Sequence, residues 1–180
     1  MDVDGVLTDG KIILGNRTLE LKAFNVRDGM AINIAHKCGM KIGFITGRTS
    51  EAVEKRSKEL KVDYLFQGVK NKLYKLIEIS SSENIPLEKT CYIGDDITDI
   101  PVLRRVEFSA TVADAPEEVK SCVSYISKNN GGNGAVHDII RHILTVQKKW
   151  EKTINLMIEE WEKDFNKNDI NVAGTNKGDN

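Results

Sequence analysis

Residues 90–103 read Thr-Cys-Tyr-Ile-Gly-Asp-Asp-Ile-Thr-Asp-Ile-Pro-Val-Leu. The run Thr90–Ile93 is short and apolar, as a buried strand is, and it stops at Gly94-Asp95-Asp96. Pro101 then falls in the first turn of a short helix over 100–106, where its missing N–H does no harm. An apolar strand that ends in carboxylates and feeds a helix is the grammar of an α/β sheet. Read by itself, the string from Asp95 to Asp99 also fits the DDxxD pattern of isoprenoid synthases. Those enzymes are large and all-helical, whereas this chain is short and rich in strands, so the match is rejected.

The same grammar repeats outward in both directions. Upstream, the apolar run 41–46 ends at Thr46-Gly47-Arg48 and is followed by a charged amphipathic helix over 50–60. A brief strand at 64–66 precedes a helix over 71–81. Downstream come a strand at 109–112, a helix over 116–121 and a last strand at 123–126. At the front, Asp2-Val3-Asp4 reads as a strand end entering a loop. Residues 11–14 and 18–24 form a hairpin candidate across the turn pair Gly15-Asn16. A helix is expected over 28–38, with Asp28 as its N-cap and Gly39 as its stop. Apolar strands alternating with helices predict a parallel sheet covered by helices on both faces. Gly131-Gly132-Asn133-Gly134 precedes one long expected helix over 135–165. Val146, Trp150, Ile154, Met157, Ile158 and Trp161 form a stripe on it that predicts packing on the domain or on a neighbouring subunit. The domain is expected over 1–150, a helical extension over 151–165, and a polar, disordered tail over 166–180.

Composition narrows the function classes. The chain has 180 residues, with 26 Lys plus Arg against 27 Asp plus Glu, a net charge of −1. No broad basic footprint for nucleic acid or a membrane surface is expected, and no apolar run approaches the ~20 residues of a membrane span. Met1-Asp2-Val3-Asp4 lacks the basic start and apolar stretch of a signal peptide. Cys38, Cys91 and Cys122 are odd in number and lack CxxC spacing, so reduced thiols in a cytosolic protein are expected. His36, His137 and His142 have no metal-ligand spacing.

Four polar features fall at strand ends or a helix start: Asp2-Val3-Asp4, Thr46-Gly47-Arg48, Lys72, and Gly94-Asp95-Asp96 with Asp99. Open α/β sheets bind ligands at the carboxyl ends of their strands. Clustered carboxylates repel unless a cation holds them, and oxygen donors without thiol or imidazole fit Mg²⁺. A hydroxyl and a lysine remain to hold phosphate oxygens, and Gly47 admits close backbone approach.

The strings DVDGVLTDG, LKAFNVRDG, ITGRTSEAVEKR, YLFQGVKNKL, YIGDDITDIPVL, ADAPEEVK and GGNGAV resemble the 3-deoxy-D-manno-octulosonate 8-phosphate (KDO 8-phosphate) phosphatases of the haloacid dehalogenase-like superfamily. The resemblance covers most of the chain and fails in the tail. It implies a Rossmann-like α/β fold with a small β-hairpin flap and no large cap domain. It implies that Asp2 is the nucleophile and Asp4 the general acid and later base. Mg²⁺ would be held by Asp2, the Asp4 carbonyl and Asp95. Thr46, Gly47 and Lys72 would bind phosphate. Lys72 is chosen over Lys70 because it directly precedes Leu73. Asp99 would orient Lys72 or a water, and Asp96 would either support the site or cap the helix start. A homotetramer is implied, with neighbouring subunits and the Gly-rich segment closing each site, in a bacterial cytoplasm where lipopolysaccharide sugars are made.

Two departures bear on those expectations. Where the family carries cations in and after its Gly-rich string, this chain has Asn133 and His137, leaving Arg48 and Arg27 to grip a sugar carboxylate. Arg48 follows Thr46-Gly47 as in the octulosonate phosphatases, which favours the eight-carbon sugar over the nonulosonic acid (KDN or sialic acid) 9-phosphates. The family's nucleophile also ends a central strand of about five apolar residues, and here only Met1 precedes Asp2. The sequence is therefore expected to start inside a longer gene product, or else to be a truncated copy whose Asp2 sits on a frayed end. A phosphatase-like oligomerisation module without catalysis is the reading from another class.

Overall fold

The computed structural model describes residues 1–16 and 19–173. Its strands are β1 (Ile13–Leu14), β2 (Glu20–Leu21), β3 (Gly43–Ile45), β4 (Tyr64–Phe66), β5 (Cys91–Ile93), β6 (Phe108–Thr111) and β7 (Tyr125–Ile126). Its α-helices are α1 (Val26–Lys37), α2 (Glu51–Glu59), α3 (Lys72–Glu83), α4 (Ile100–Leu103), α5 (Glu117–Lys120), α6 (Ala135–Val146) and α7 (Trp150–Ala173). β1 and β2 pair antiparallel as the expected hairpin. β3 pairs parallel with β4, and β5, β6 and β7 pair parallel in that order.

Met1 and Asp2 join these two ladders. The Met1 amine donates to the Gly43 carbonyl at 2.8 Å, and the Ile45 N–H donates to the Met1 carbonyl at 3.0 Å. The Asp2 N–H donates to the Ile93 carbonyl at 2.9 Å. Two residues thus hold the centre of the order β4-β3-(Met1–Asp2)-β5-β6-β7. The expected fraying of Asp2 is corrected: strands on either side pin it, and it is 6% exposed. The chain then turns sharply, because the N–H groups of Val6, Leu7 and Thr8 all converge on the Val3 carbonyl. That turn buries Val3, Val6 and Leu7.

Helices cover the sheet in two groups, α1 with α6 and α7, and α3 with α4. Ala31, Ile32 and Ala35 of α1 and Val136, Ile139, Ile140 and Leu144 of α6 join Phe44, Ile93 and Ala110 in the core, while Tyr92, out of register with Ala110, points to the other face and bonds Asp99. Spacing of three and four residues puts each set on one helix face.

Three helical expectations shift. α1 starts at Val26, capped by the Asn25 side chain, so Asp28 lies inside its first turn. The long helix over 135–165 is two helices. Gln147 caps α6, Lys148 takes a left-handed φ of 57°, and the Lys149 N–H returns to the Leu144 carbonyl at 2.8 Å. That 6→1 bond satisfies an orphan carbonyl and turns the chain. α7 then continues past 165 to Ala173, so the helix takes in the first residues of the tail expected to be disordered; residues 174–180 lie outside the described part. Of the stripe, Met157 is buried and Trp150 and Ile154 pack on the core, while Val146, Ile158 and Trp161 face out. The three cysteines are free thiols. Among the described residues no helix is long and apolar enough to cross a membrane.

Candidate active site

Strand ends build the floor of a cleft of about 340 Å³, lined by Asp2, Asp4, Thr46, Gly47, Arg48, Lys70, Lys72, Asp95 and Asp96 among others. Asp2 follows the pinned Met1, Thr46 follows β3 and Asp95 follows β5. Lys72 opens α3, whose N-cap Asn71 accepts the Tyr74 N–H at 2.9 Å. The buried Lys72 ammonium lies 2.7 Å from Asp2 Oδ2 and 2.8 Å from Asp99 Oδ1. Lys70 also lines the cleft but is exposed, and it is Lys72 that stands between the two carboxylates.

Asp99 is fully committed. Its Oδ1 accepts from Lys72 and from the buried Tyr92 hydroxyl, each at 2.8 Å, and its Oδ2 accepts the Asp95 and Asp96 N–H groups at 3.2 Å. It anchors the lysine and the Asp95-Asp96 turn together. Asp96 caps the 3₁₀ turn Ile97–Asp99 through a 2.7 Å bond from the Ile97 N–H, the capping alternative of the two foreseen.

Asp2, Asp95 and Asp99 each bring a carboxylate oxygen within 4.8 Å of one another. Asp99 spends both oxygens on donors, while Asp95 Oδ1 is buried and has no hydrogen-bond partner. A buried oxygen without a donor is costly unless a cation meets it. Burial, then the charges of Asp2 and Asp99, push the Asp95 carboxyl up to about 8. Burial also pushes Asp2 up, Asp99 adding to it, against the lowering pull of Lys72. Burial alone would lower Lys72, but Asp2 and Asp99 outweigh it and hold the ammonium above its usual range. The donor set is all oxygen and the site carries more negative than positive charge, which suits a divalent cation. Asp2 and Asp95 are the side chains fitted to hold it. Gly5, at φ +90°, lets the Asp2–Thr8 turn reach this centre, since a Cβ there would lie 1.9 Å from Asp95 Oδ2.

The rim comes from the hairpin. Lys22, with a side chain 1% exposed, donates to Asp4 Oδ1 and lies 3.1 Å from Glu20 Oε1. Glu20 Oε2 accepts from Arg48 Nη2 at 2.6 Å, and Arg48 Nε stands 4.0 Å from Asp4 Oδ2. Arg48, expected to offer a cation to substrate, is thus already paired. Arg27 lies exposed near the start of α1 and is not among the residues lining the cleft. Lys22 and Glu20 are not among the site residues expected from the sequence; Lys22 falls within the string LKAFNVRDG and Glu20 directly precedes it.

The Gly-rich segment, expected to help close a neighbouring site, is seated against its own chain. The Gly132 N–H donates to the Val6 carbonyl at 3.0 Å, and a Cβ on Gly131 would fall 1.8 Å from the Gly5 carbonyl oxygen. Asn25 Nδ2 bonds the Gly132 carbonyl at 3.4 Å, and Asp28 Oδ1 accepts the His137 N–H at 2.8 Å. Asp28 therefore caps α6, where Gly134 offers no side chain, and the segment backs the turn that carries Asp2 and Asp4.

Comparison with known proteins gives this arrangement its family. Residues 66–140 match the family described as haloacid dehalogenase-like hydrolase. The 3-deoxy-D-manno-octulosonate 8-phosphate phosphatase KdsC of Escherichia coli K12 is 40% identical over 152 residues, 84% of this chain and 81% of that protein. A crystal structure of the phosphatase of that name from Moraxella catarrhalis, in complex with magnesium, phosphate and KDO, superposes with a TM-score of 0.84 at 36% identity, covering 87% of this chain and 90% of that one. The cobalt-bound enzyme from Haemophilus influenzae gives a TM-score of 0.80 at 34% identity, over 83% and 87% of the two chains. With its carboxylates and lysine gathered at the strand ends, the chain belongs to the 3-deoxy-D-manno-octulosonate 8-phosphate phosphatase family of haloacid dehalogenase-like hydrolases, and is a Mg²⁺-dependent phosphoric monoester hydrolase.

Proposed function

We propose that this chain hydrolyses KDO 8-phosphate to KDO and phosphate through an aspartyl-phosphate on Asp2. The observation that carries the reading is the Lys72 ammonium between Asp2 and Asp99 beside the unpartnered Asp95 oxygen. Asp2 and Asp95, with the Asp4 backbone carbonyl, would hold Mg²⁺. When bound, the ion offsets the repulsion between an anionic nucleophile and an anionic phosphate.

In the first step an Asp2 oxygen attacks phosphorus, the bond from phosphorus to the sugar oxygen breaks, and Asp4 gives its proton to that oxygen. In the second, Asp4 takes a proton from water, the water oxygen attacks phosphorus, and the bond to Asp2 breaks. Asp2 returns as carboxylate, Asp4 returns protonated and phosphate leaves. Thr46, Gly47 and Lys72 line the cleft beside Asp2 and hold the phosphoryl oxygens, Lys72 offsetting their charge. Asp99 keeps Lys72 in place. Arg48 receives the sugar carboxylate by exchanging Glu20 for it.

The hairpin supports assembly into a homotetramer. Ile12, Ile13, Leu14, Leu19 and Leu21 are each about half exposed or more, an apolar cluster that copies of the chain would cover. Placement in a bacterial cytoplasm, in the making of lipopolysaccharide sugars, rests on the substrate.

Phosphate release with Mg²⁺ from KDO 8-phosphate and from a nonulosonic acid 9-phosphate tests the reading. The expected kcat/KM is at least about tenfold higher for the eight-carbon sugar. The reverse preference would move the assignment to the nine-carbon acids. Absence of both hydrolysis and Mg²⁺ binding would leave a non-catalytic oligomerisation module.

A further inference from the structure

Lys22 is out of character for its place. It sits on a two-stranded hairpin whose apolar side chains face outward, yet its own side chain is 1% exposed. Burying an ammonium is costly unless carboxylates meet it, and an apolar side chain of similar length would pack there at lower cost. Two carboxylates do meet it, Asp4 through Oδ1 and Glu20 through Oε1. The two Asp4 oxygens are consequently unequal. Oδ1 is bound by Lys22, whereas Oδ2 is buried, has no hydrogen-bond partner and lies 4.0 Å from an Arg48 that is bonded to Glu20.

We infer that Lys22 is a positioning residue that fixes the Asp4 carboxyl group so that Oδ2 is the oxygen that passes the proton. An ammonium donating to Oδ1 holds the side-chain torsions and occupies that oxygen, leaving Oδ2 without a donor of its own. Oδ2 alone then protonates the leaving sugar oxygen and later takes the proton from water. Glu20, 3.1 Å from the ammonium, keeps Lys22 in register. The flap thereby sets the geometry of the acid as well as covering the cleft. This inference rests on the reading of Asp4 as acid and base.

The test compares two leaving groups. A sugar alkoxide needs a proton to depart, whereas the phenolate of p-nitrophenyl phosphate leaves without one. Because kcat/KM reports steps up to the first irreversible one, it isolates leaving-group departure from the later attack of water. Lys22→Met is expected to lower kcat/KM for KDO 8-phosphate about 10²-fold, the cost of a small misplacement of a catalytic group. For p-nitrophenyl phosphate it should fall by less than about threefold. Lys22→Arg should restore most of the loss, and Lys22→Met should cost nothing further when added to Asp4→Asn. Equal losses on both substrates, or no loss on either, would overturn the inference. If Lys22→Met does not fold, Lys22→Gln carries the same comparison. Asp4→Asn separates the two levels. Full sugar-phosphate activity in that variant defeats the assignment of Asp4 itself, whereas its loss alongside an unaffected Lys22→Met defeats only the role given to Lys22.

Discussion

Carboxylates in the floor of the cleft and on its rim are moved in opposite directions by their surroundings. In the floor, burial first and neighbouring negative charge second push Asp95 up to about 8 and raise Asp2. On the rim, hydrogen bonds from Arg48 and then Lys22 hold Glu20 below its usual range. The floor is a place where negative charge is kept in excess and out of water, with the single buried ammonium of Lys72 among three carboxylates. The rim is close to neutral, with Lys22 and Arg48 facing Asp4 and Glu20. A buried excess of negative charge drives binding of a cation, and the cation with Lys72 then offsets the repulsion of an incoming phosphoryl group. A paired rim can instead exchange one anion for another at modest cost, which suits selection of a substrate. The floor is suited to holding the cation and the phosphoryl group, and the rim, apart from Asp4, is suited to choice of substrate.

Removing Asp2, the nucleophile proposed above, is the most severe way to challenge that division. Asp2→Asn is expected to lower kcat by at least about 10³-fold on every phosphate ester, sugar or aryl, because no other group can form the covalent intermediate. Steady-state kinetics with both esters checks it, with circular dichroism to establish that the variant is folded. Survival of aryl phosphate turnover would place the chemistry elsewhere.

Lys72→Met comes next. In the proposed mechanism the variant loses an electrostatic donor to the reacting phosphoryl group, so kcat should fall by about 10²- to 10³-fold. It also leaves Asp2 and Asp99 buried without their cation, an arrangement that costs about 3–5 kcal/mol of stability. Urea unfolding should therefore register Lys72→Met clearly. The pair of Arg48 and Glu20, whose arginine side chain is 45% exposed, should register at about 0–1 kcal/mol. Equal destabilisation of floor and rim would erase the distinction between them.

This division also explains which parts were legible from sequence. The floor residues sit at strand ends, and a strand end is visible as an apolar run that stops at Gly, Asp or Thr. Thr46 and Asp95 could be gathered on that ground, whereas Lys72, at a helix start, and Asp2, preceded only by Met1, needed the family resemblance; the structure brings all four to one cleft. The rim and its support come from contacts between segments far apart in the chain. Lys22 meets Asp4 across 18 residues, and Asp28 meets the His137 N–H across 109. No local pattern distinguishes a lysine that turns inward from one that is solvated, so Lys22 was passed over. Asp28 was read as capping its own helix because capping is ordinarily local. The break between α6 and α7 was missed because Lys148 adopts the left-handed conformation that Gly or Asn usually signals.

Arg48→Ala probes the rim directly. If Arg48 takes the sugar carboxylate in exchange for Glu20, its loss should raise KM for KDO 8-phosphate by about tenfold, the value of one charge-assisted hydrogen bond. The kcat should change little, and so should the kinetics of an aryl phosphate that has no carboxylate. Initial rates over a range of both substrates check this. A fall in kcat without a change in KM would draw Arg48 into the chemistry and blur the boundary with the floor.

The smallest effect expected tests the floor through its cation. If Asp95 holds Mg²⁺ as proposed, it must do so as a carboxylate, whereas burial, then Asp2 and Asp99, push its carboxyl up to about 8. The raised value means that the proton is held below that pH and lost above it, so cation and proton compete throughout the neutral range. Mg²⁺ affinity should accordingly rise with pH and level off above about 8, and be roughly fivefold weaker at pH 7 than at pH 8. Binding at pH 7 should release close to one proton, which calorimetry in buffers of different ionisation enthalpy measures. Glu20, already held as carboxylate by Arg48 and Lys22, contributes nothing in this range, so Glu20→Gln should leave the pH dependence in place. A pH-independent affinity with no proton release would mean that Asp95 is ionised before the cation arrives. The floor would then differ from the rim only in depth and not in the state of its carboxylates.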